Sequence, residues 1–213
     1  MNDSPNYGFY FNEAGLSTSQ GATASAEEHF KDTTLEESLV REMAQNSLDA
    51  KVPNSEGPVR MEIELRWVHK GEIPDFEELK KHIEAAYESN KDQENDRLKN
   101  ASEAAQKEYF PVLRIGDYNT TGLTGREDDN EGNPPIVALT RSRGVSSGKA
   151  GKGGSFGLGG TVGHLSSDLS TVQWITRTED AEQTIFAAQS QLATHNMDGK
   201  RYGPDGFYLD KNR

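Results

Sequence analysis

Apolar residues in this chain gather in short periodic segments separated by long polar stretches. Over residues 33–50, Leu35, Leu39, Val40, Met43 and Leu48 recur at helical spacing, and Thr33 with Glu36, or Thr34 with Glu37, can form a capping box at the start. This predicts a first helix. Residues 59–68 alternate Val, Met, Ile, Leu and Trp with polar neighbours, which predicts a half-buried strand. Residues 75–109 are dense in Glu, Lys, Asn and Ala, with sparse apolar positions at Phe76, Leu79, Ile83, Ala86 and Tyr87. They read as a helical insertion, a hairpin broken near residues 90–96 with a largely solvated face. Further strands are expected over 110–116, 169–177 and 184–192. Residues 1–32 have little periodicity and many small side chains, so they read as an N-terminal arm that orders against something else.

Composition narrows the classes of protein. The 213 residues suit one α+β domain carrying an insertion. Lys and Arg total 23 against 35 Asp and Glu, a formal charge of −12, which argues against a broad nucleic-acid or anionic-membrane surface. Cysteine is absent, which removes disulfide frameworks and thiolate metal sites. No apolar run approaches the roughly 18 residues needed to cross a bilayer, and the start carries no signal-peptide pattern, so a cytoplasmic protein is the simplest expectation.

Three compact motifs carry the candidate chemistry. On the first helix, Glu42, Asn46 and Asp49 fall within an arc of about 60° beside the apolar stripe, a polar cluster at the edge of the buried side. A charge-rich exposed helix is the plain alternative. The second motif is IGDYNTTGL, where a short apolar strand ends in Asp117 followed by a small-residue turn. Asp117 there can accept hydrogen bonds from a buried polar ligand edge, or form an ordinary Asp turn. The third runs over residues 144–163, where nine of twenty residues are Gly, with Lys149 and Lys152 among them. Such a run lets backbone amides approach a phosphate, and also makes a flexible linker. It lacks both the Walker loop and the dinucleotide fingerprint.

The order ExxxN, DxNxxG and GxFGxG resembles the GHKL superfamily of ATP-binding domains: gyrase, the ninety-kilodalton heat-shock chaperone, histidine kinases and MutL. The resemblance covers residues 33–177, and GSFGLGGTVGHLSSDLSTVQWITR is closest to the chaperone and MutL side. It implies an α+β fold, a two-layer α/β sandwich with a mixed, largely antiparallel sheet (the Bergerat fold), occupying residues 33–213. It also implies ATP and Mg²⁺ as cofactors. Glu42 would be the general base that polarises the attacking water, Asn46 the Mg²⁺ ligand, and Asp49 a further pocket residue. Asp117 would accept the adenine amino group, with Asn119 standing where the family usually has Gly and Gly122 shifted by one residue. Lys152, Gly154, Phe156, Gly157 and Gly159 would hold the triphosphate, and residues 125–153 would be the ATP lid. The family's late-strand threonine has Thr194 as its candidate here.

By the same resemblance the chain is expected to be the N-terminal module of a longer protein, binding and slowly hydrolysing ATP, with lid closure and an ATP-dependent homodimer gating a larger activity. That activity could lie in bacterial DNA repair or phage defence, with nucleic acid contacted only through other parts of the parent. Two other readings stand beside it: a nucleotide-binding adaptor without hydrolysis, and a histidine-kinase-type phosphotransfer domain.

Overall fold

The computed structural model describes residues 6–15, 34–93, 95–125, 134–140, 159–178 and 184–211. The fold is α+β with open antiparallel sheets. One sheet runs β1(Tyr7–Glu13), β7(Lys200–Asp210), β5(Ile185–Gln191), β4(Thr171–Thr176), with β6(His195–Met197) also pairing to β7. A separate two-stranded ribbon joins β2(Arg60–His69) to β3(Tyr109–Tyr118). Helix α1 spans Leu35–Asp49, α2 Phe76–Asn90, α3 Asp96–Ala104, α4 Pro135–Thr140 and α5 Gly159–Leu165.

Local chemistry sets these boundaries. Thr34 caps α1, its hydroxyl oxygen accepting from the Glu37 amide at 3.2 Å, and Glu36 and Glu37 place negative charge in the first turn, where the helix dipole favours it. Asn95 caps α3 in the same way, accepting from the Leu98 amide at 3.1 Å.

The insertion has a different role from the solvated one its composition suggests. Leu79, Ile83 and Ala86 of α2 and Ala101 of α3 are completely buried, and with Leu98 they pack on Phe9, Phe11, Ala188 and Leu192. One helical stripe spaced by three or four residues is enough to build this core, while the many Lys and Glu occupy the remaining faces. Part of the N-terminal segment is ordered against the sheet. Tyr7–Glu13 forms an edge strand against β7 and contributes Phe9 and Phe11 to the core. Gly206 on β7 makes this possible, because a Cβ there would collide with the Phe11 ring.

Helix α5 approaches the sheet from the other side. Gly163 faces Val172, and the His164 ring lies 5.9 Å from the Trp174 ring. Strand alternation puts Val172 and Trp174 on the face opposite Gln173 and Ile175. Helix α4 falls within the expected lid, and its Ile136 is completely buried.

Two buried imidazoles tie α2 to β6. His195 Nδ1 lies 2.8 Å from the Ala193 carbonyl, so it carries a proton and donates. Its Nε2 is then an acceptor, and His82 Nδ1, 2.8 Å away, donates to it. Phe11 stacks on His82 at 4.1 Å, and Tyr202 meets the same ring edge-on at 5.1 Å. Burial, and then the neighbouring His195, push the His82 imidazole down to about 4; burial also lowers His195.

Above the ordinary histidine value near 6.5, both rings are neutral and this contribution to stability is complete. As the pH falls from there toward 4, the unfolded chain takes up the proton before the folded one, and stability drops. Urea midpoints measured across this interval should decrease steadily, and the decrease should be smaller in His82→Gln.

Candidate functional site

The end of α1 is stitched to the loop that follows β3. The Thr121 amide donates to the Ala50 carbonyl at 2.7 Å and the Val52 amide donates to the Asn119 carbonyl at 3.3 Å, and these two bonds make Lys51 and Thr120 an isolated antiparallel bridge. These bonds bring Asp49, Asp117, Asn119 and Gly122 into one neighbourhood, although they come from two motifs separated by more than sixty positions. Helix α5, which opens at Gly159, packs beside α1. Its start therefore belongs to the same region of the molecule.

On α1 itself the three polar positions separate. Glu42 is buried on the side that also buries Ser38, whereas Asn46 and Asp49 are exposed. Glu42 and Asp49 are seven residues apart, about 10 Å along the helix axis. A buried carboxylate at one level and an exposed amide and acid nearer the C-terminus make a polar edge rather than a uniformly solvated face. Asp117 stands exposed near the end of β3, on the ribbon face that also carries Ile115, Leu113 and Ile63.

The turn beyond Asp117 closes through a left-handed Asn119. Its φ is 62°, in the left-handed region that Asn tolerates better than most side chains, and its side-chain Nδ2 donates to the Pro58 carbonyl at 2.7 Å. Gly122 has a φ of 67°, and a Cβ there would sit 2.9 Å from Thr176 Oγ1 and 3.0 Å from the Arg177 carbonyl oxygen. Thr176 supports the turn directly, its hydroxyl oxygen accepting from the Leu123 amide at 2.8 Å.

Thr176, which the sequence motifs do not single out, is the side chain that supports this turn. It ends β4 and is buried. The candidate chosen from sequence, Thr194, lies elsewhere: its carbonyl accepts from Asn90 Nδ2 at 3.0 Å beside α2. The signal available in the sequence was the run TVQWIT, which puts Thr176 on the same strand face as Val172 and Trp174.

Lys152, Gly154, Phe156 and Gly157 lie outside the described residues, as do Lys149 and most of 125–153. Among the described residues, no three His, Cys, Asp or Glu side chains form a group able to hold a metal ion. The Mg²⁺ expected from the motifs does not require such a group, since this ion keeps several waters and is commonly held by one or two protein oxygens together with phosphates. The exposed amide of Asn46 fits that donor chemistry. No helix among the described residues is long and apolar enough to cross a membrane.

No protein-family model, no curated protein and no solved structure matches this chain.

Gly122→Ala should cost about 1–3 kcal/mol, because it combines a left-handed φ with a close approach to Thr176 and Arg177. Chemical denaturation of the two proteins checks this. A change below about 0.5 kcal/mol, the range of ordinary surface substitutions, would mean that the turn relaxes freely.

Proposed function

We propose that this chain is an ATP-binding and slowly hydrolysing module of the GHKL type, closest to the chaperone and MutL side. The observation that carries the reading is the junction of α1 with the loop after β3. It sets the ExxxN helix beside the DxNxxG turn through backbone hydrogen bonds. Two motifs distant in sequence and joined in space support a shared site more strongly than either does alone.

In this reading Asp117 selects adenine. Its carboxylate accepts from the exocyclic amino group, where guanine would present a carbonyl oxygen and two acceptors would face each other. Glu42 serves as general base toward the water that attacks the γ-phosphate, and its burial excludes competing solvent from the carboxylate. Asn46 holds Mg²⁺, which when bound offsets phosphate charge. Asp49 lines the same edge, and Thr176 holds the Gly122 turn in place under the base. The Gly-rich segment with Lys152, Gly154, Phe156, Gly157 and Gly159 wraps the phosphates and closes the site. Closure and dimerisation would then gate a larger protein, because contacts to the γ-phosphate differ between open and closed states.

Glu42→Ala is the discriminating variant. It should reduce ATP hydrolysis by a hundredfold or more, in line with the loss of a general base, while ATP binding changes little. Phosphate release and equilibrium binding measured on the same samples separate the two effects. An unchanged rate in the variant would remove Glu42 from this role, and a rate no higher than background in both proteins would leave an adaptor that uses nucleotide only as a ligand.

A further inference from the structure

The β2–β3 ribbon has two unlike faces. Register puts Glu62, Glu64, Arg66 and Arg114 on one side, where Arg60 pairs with Glu62 at 3.1 Å, Arg114 with Glu64 at 3.6 Å, and the Arg60 guanidinium lies 4.2 Å over the Tyr118 ring. That side is satisfied in water. The other side carries Ile63, Leu65 and Trp67 from β2 against Ile115, Leu113 and Pro111 from β3. Its large residues stand in solvent: Trp67 is 70 % exposed, Leu65 66 %, Ile63 51 % and Leu113 47 %.

With Tyr109, at 55 %, this side presents on the order of 600 Å² of exposed side-chain surface in one stripe. Monomeric proteins seldom leave a contiguous apolar patch beyond a few hundred Å². A standard interface buries roughly 800 Å² on each partner, so the stripe and its rim are of the right size for one.

We infer that this stripe is a self-association surface, covered by the same stripe of a second copy of the chain. Two features point to a second copy rather than to the stretches of this sequence outside the described residues. The stretches outside the described residues, 16–33, 126–133, 141–158 and 179–183, are mainly small, polar or charged in sequence and hold few large apolar side chains. The stripe is also complementary to itself. Its five rungs run from Met61 with Asp117 at one end, through Leu65 with Leu113 at the centre, to His69 with Tyr109 at the other.

A two-fold axis between the ribbons and across the strands exchanges the ends. Leu65 and Leu113 then meet their own copies, and Trp67 beside the compact Pro111 packs over the partner copy's Ile63 and Ile115. The contact is isologous, which closes the assembly at two copies. It needs no nucleotide.

The test is made without nucleotide, so it is independent of the ATP reading. Light scattering of the full chain should give twice the 23.5 kDa monomer mass at high micromolar concentration and fall toward that mass on dilution. Leu65→Glu should be monomeric throughout, while Arg66→Glu, on the opposite face, should dimerise as the parent does. Far-UV circular dichroism verifies that both remain folded. Because the chain has no cysteine, Leu65→Cys should also form a covalent dimer on mild oxidation, and Glu64→Cys should not. A parent that stays monomeric at every concentration, a Leu65→Glu protein that still dimerises, or equal crosslinking of the two cysteine variants would each overturn the proposal.

Discussion

Two backbone hydrogen bonds between the end of α1 and the loop after β3 are the constraint on which the candidate functional region depends. The Thr121–Ala50 and Val52–Asn119 hydrogen bonds, which together make the antiparallel Lys51–Thr120 bridge, fix the helix end against the turn. Backbone bonds of this kind do not depend on side-chain identity, so they position Asp49, Asp117 and Asn119 whatever those residues bind. The turn is then held from beneath by Thr176, and Gly122 and Asn119 supply the two left-handed conformations that let it close. A change at any of these points moves the Asp117 carboxylate relative to α1.

The core is built separately and serves as the platform. Phe9 and Phe11 from β1, the buried stripe of α2 and the small residues of α3 close over β5 and β7. Arg97 ties α3 to the sheet, its Nε donating to Ser170 Oγ and its Nη2 to the Gln191 carbonyl, both at 3.0 Å. The residues at the start of β4 and the end of β5 are thereby anchored to the insertion, and Thr176 stands at the other end of β4. A rigid strand that runs from the insertion to the Asp117 turn gives the region its frame.

Much of this organisation was legible in the sequence. Capping chemistry located the start of α1, alternation located β2, and the polar break near residues 90–96 separated α2 from α3. Strands near 110–116, 169–177 and 184–192 appear within a few residues of expectation. The missed elements have physical reasons. Strand β7 contains Gly203, Pro204 and Gly206, which read as a turn. Pro204 is tolerated because it falls between the β6 pairing, which ends at Tyr202, and the β5 pairing, which begins at Asp205, while its carbonyl accepts from the Leu192 amide. Strand β1 is short and is stabilised chiefly by its partner. The insertion looked solvated because the count of charged residues hid one continuous apolar stripe. The ribbon looked half-buried because alternation reveals that a strand has an apolar face and says nothing about what covers it. For the candidate site, motif order singled out Glu42, Asp117 and the two left-handed turn residues, whereas the bond from the Leu123 amide to Thr176 arises from tertiary packing of β4 against the turn.

The central claim is that Asp117 and the α1 edge form an adenine nucleotide site. Calorimetric titration of the chain with ATP and with GTP, in the presence of Mg²⁺, tests it most directly. Saturable binding of ATP, with GTP much weaker and Asp117→Asn abolishing the heat, is the result this account predicts. A folded protein that binds neither nucleotide, or that binds ATP equally well with and without the Asp117 carboxylate, would contradict it.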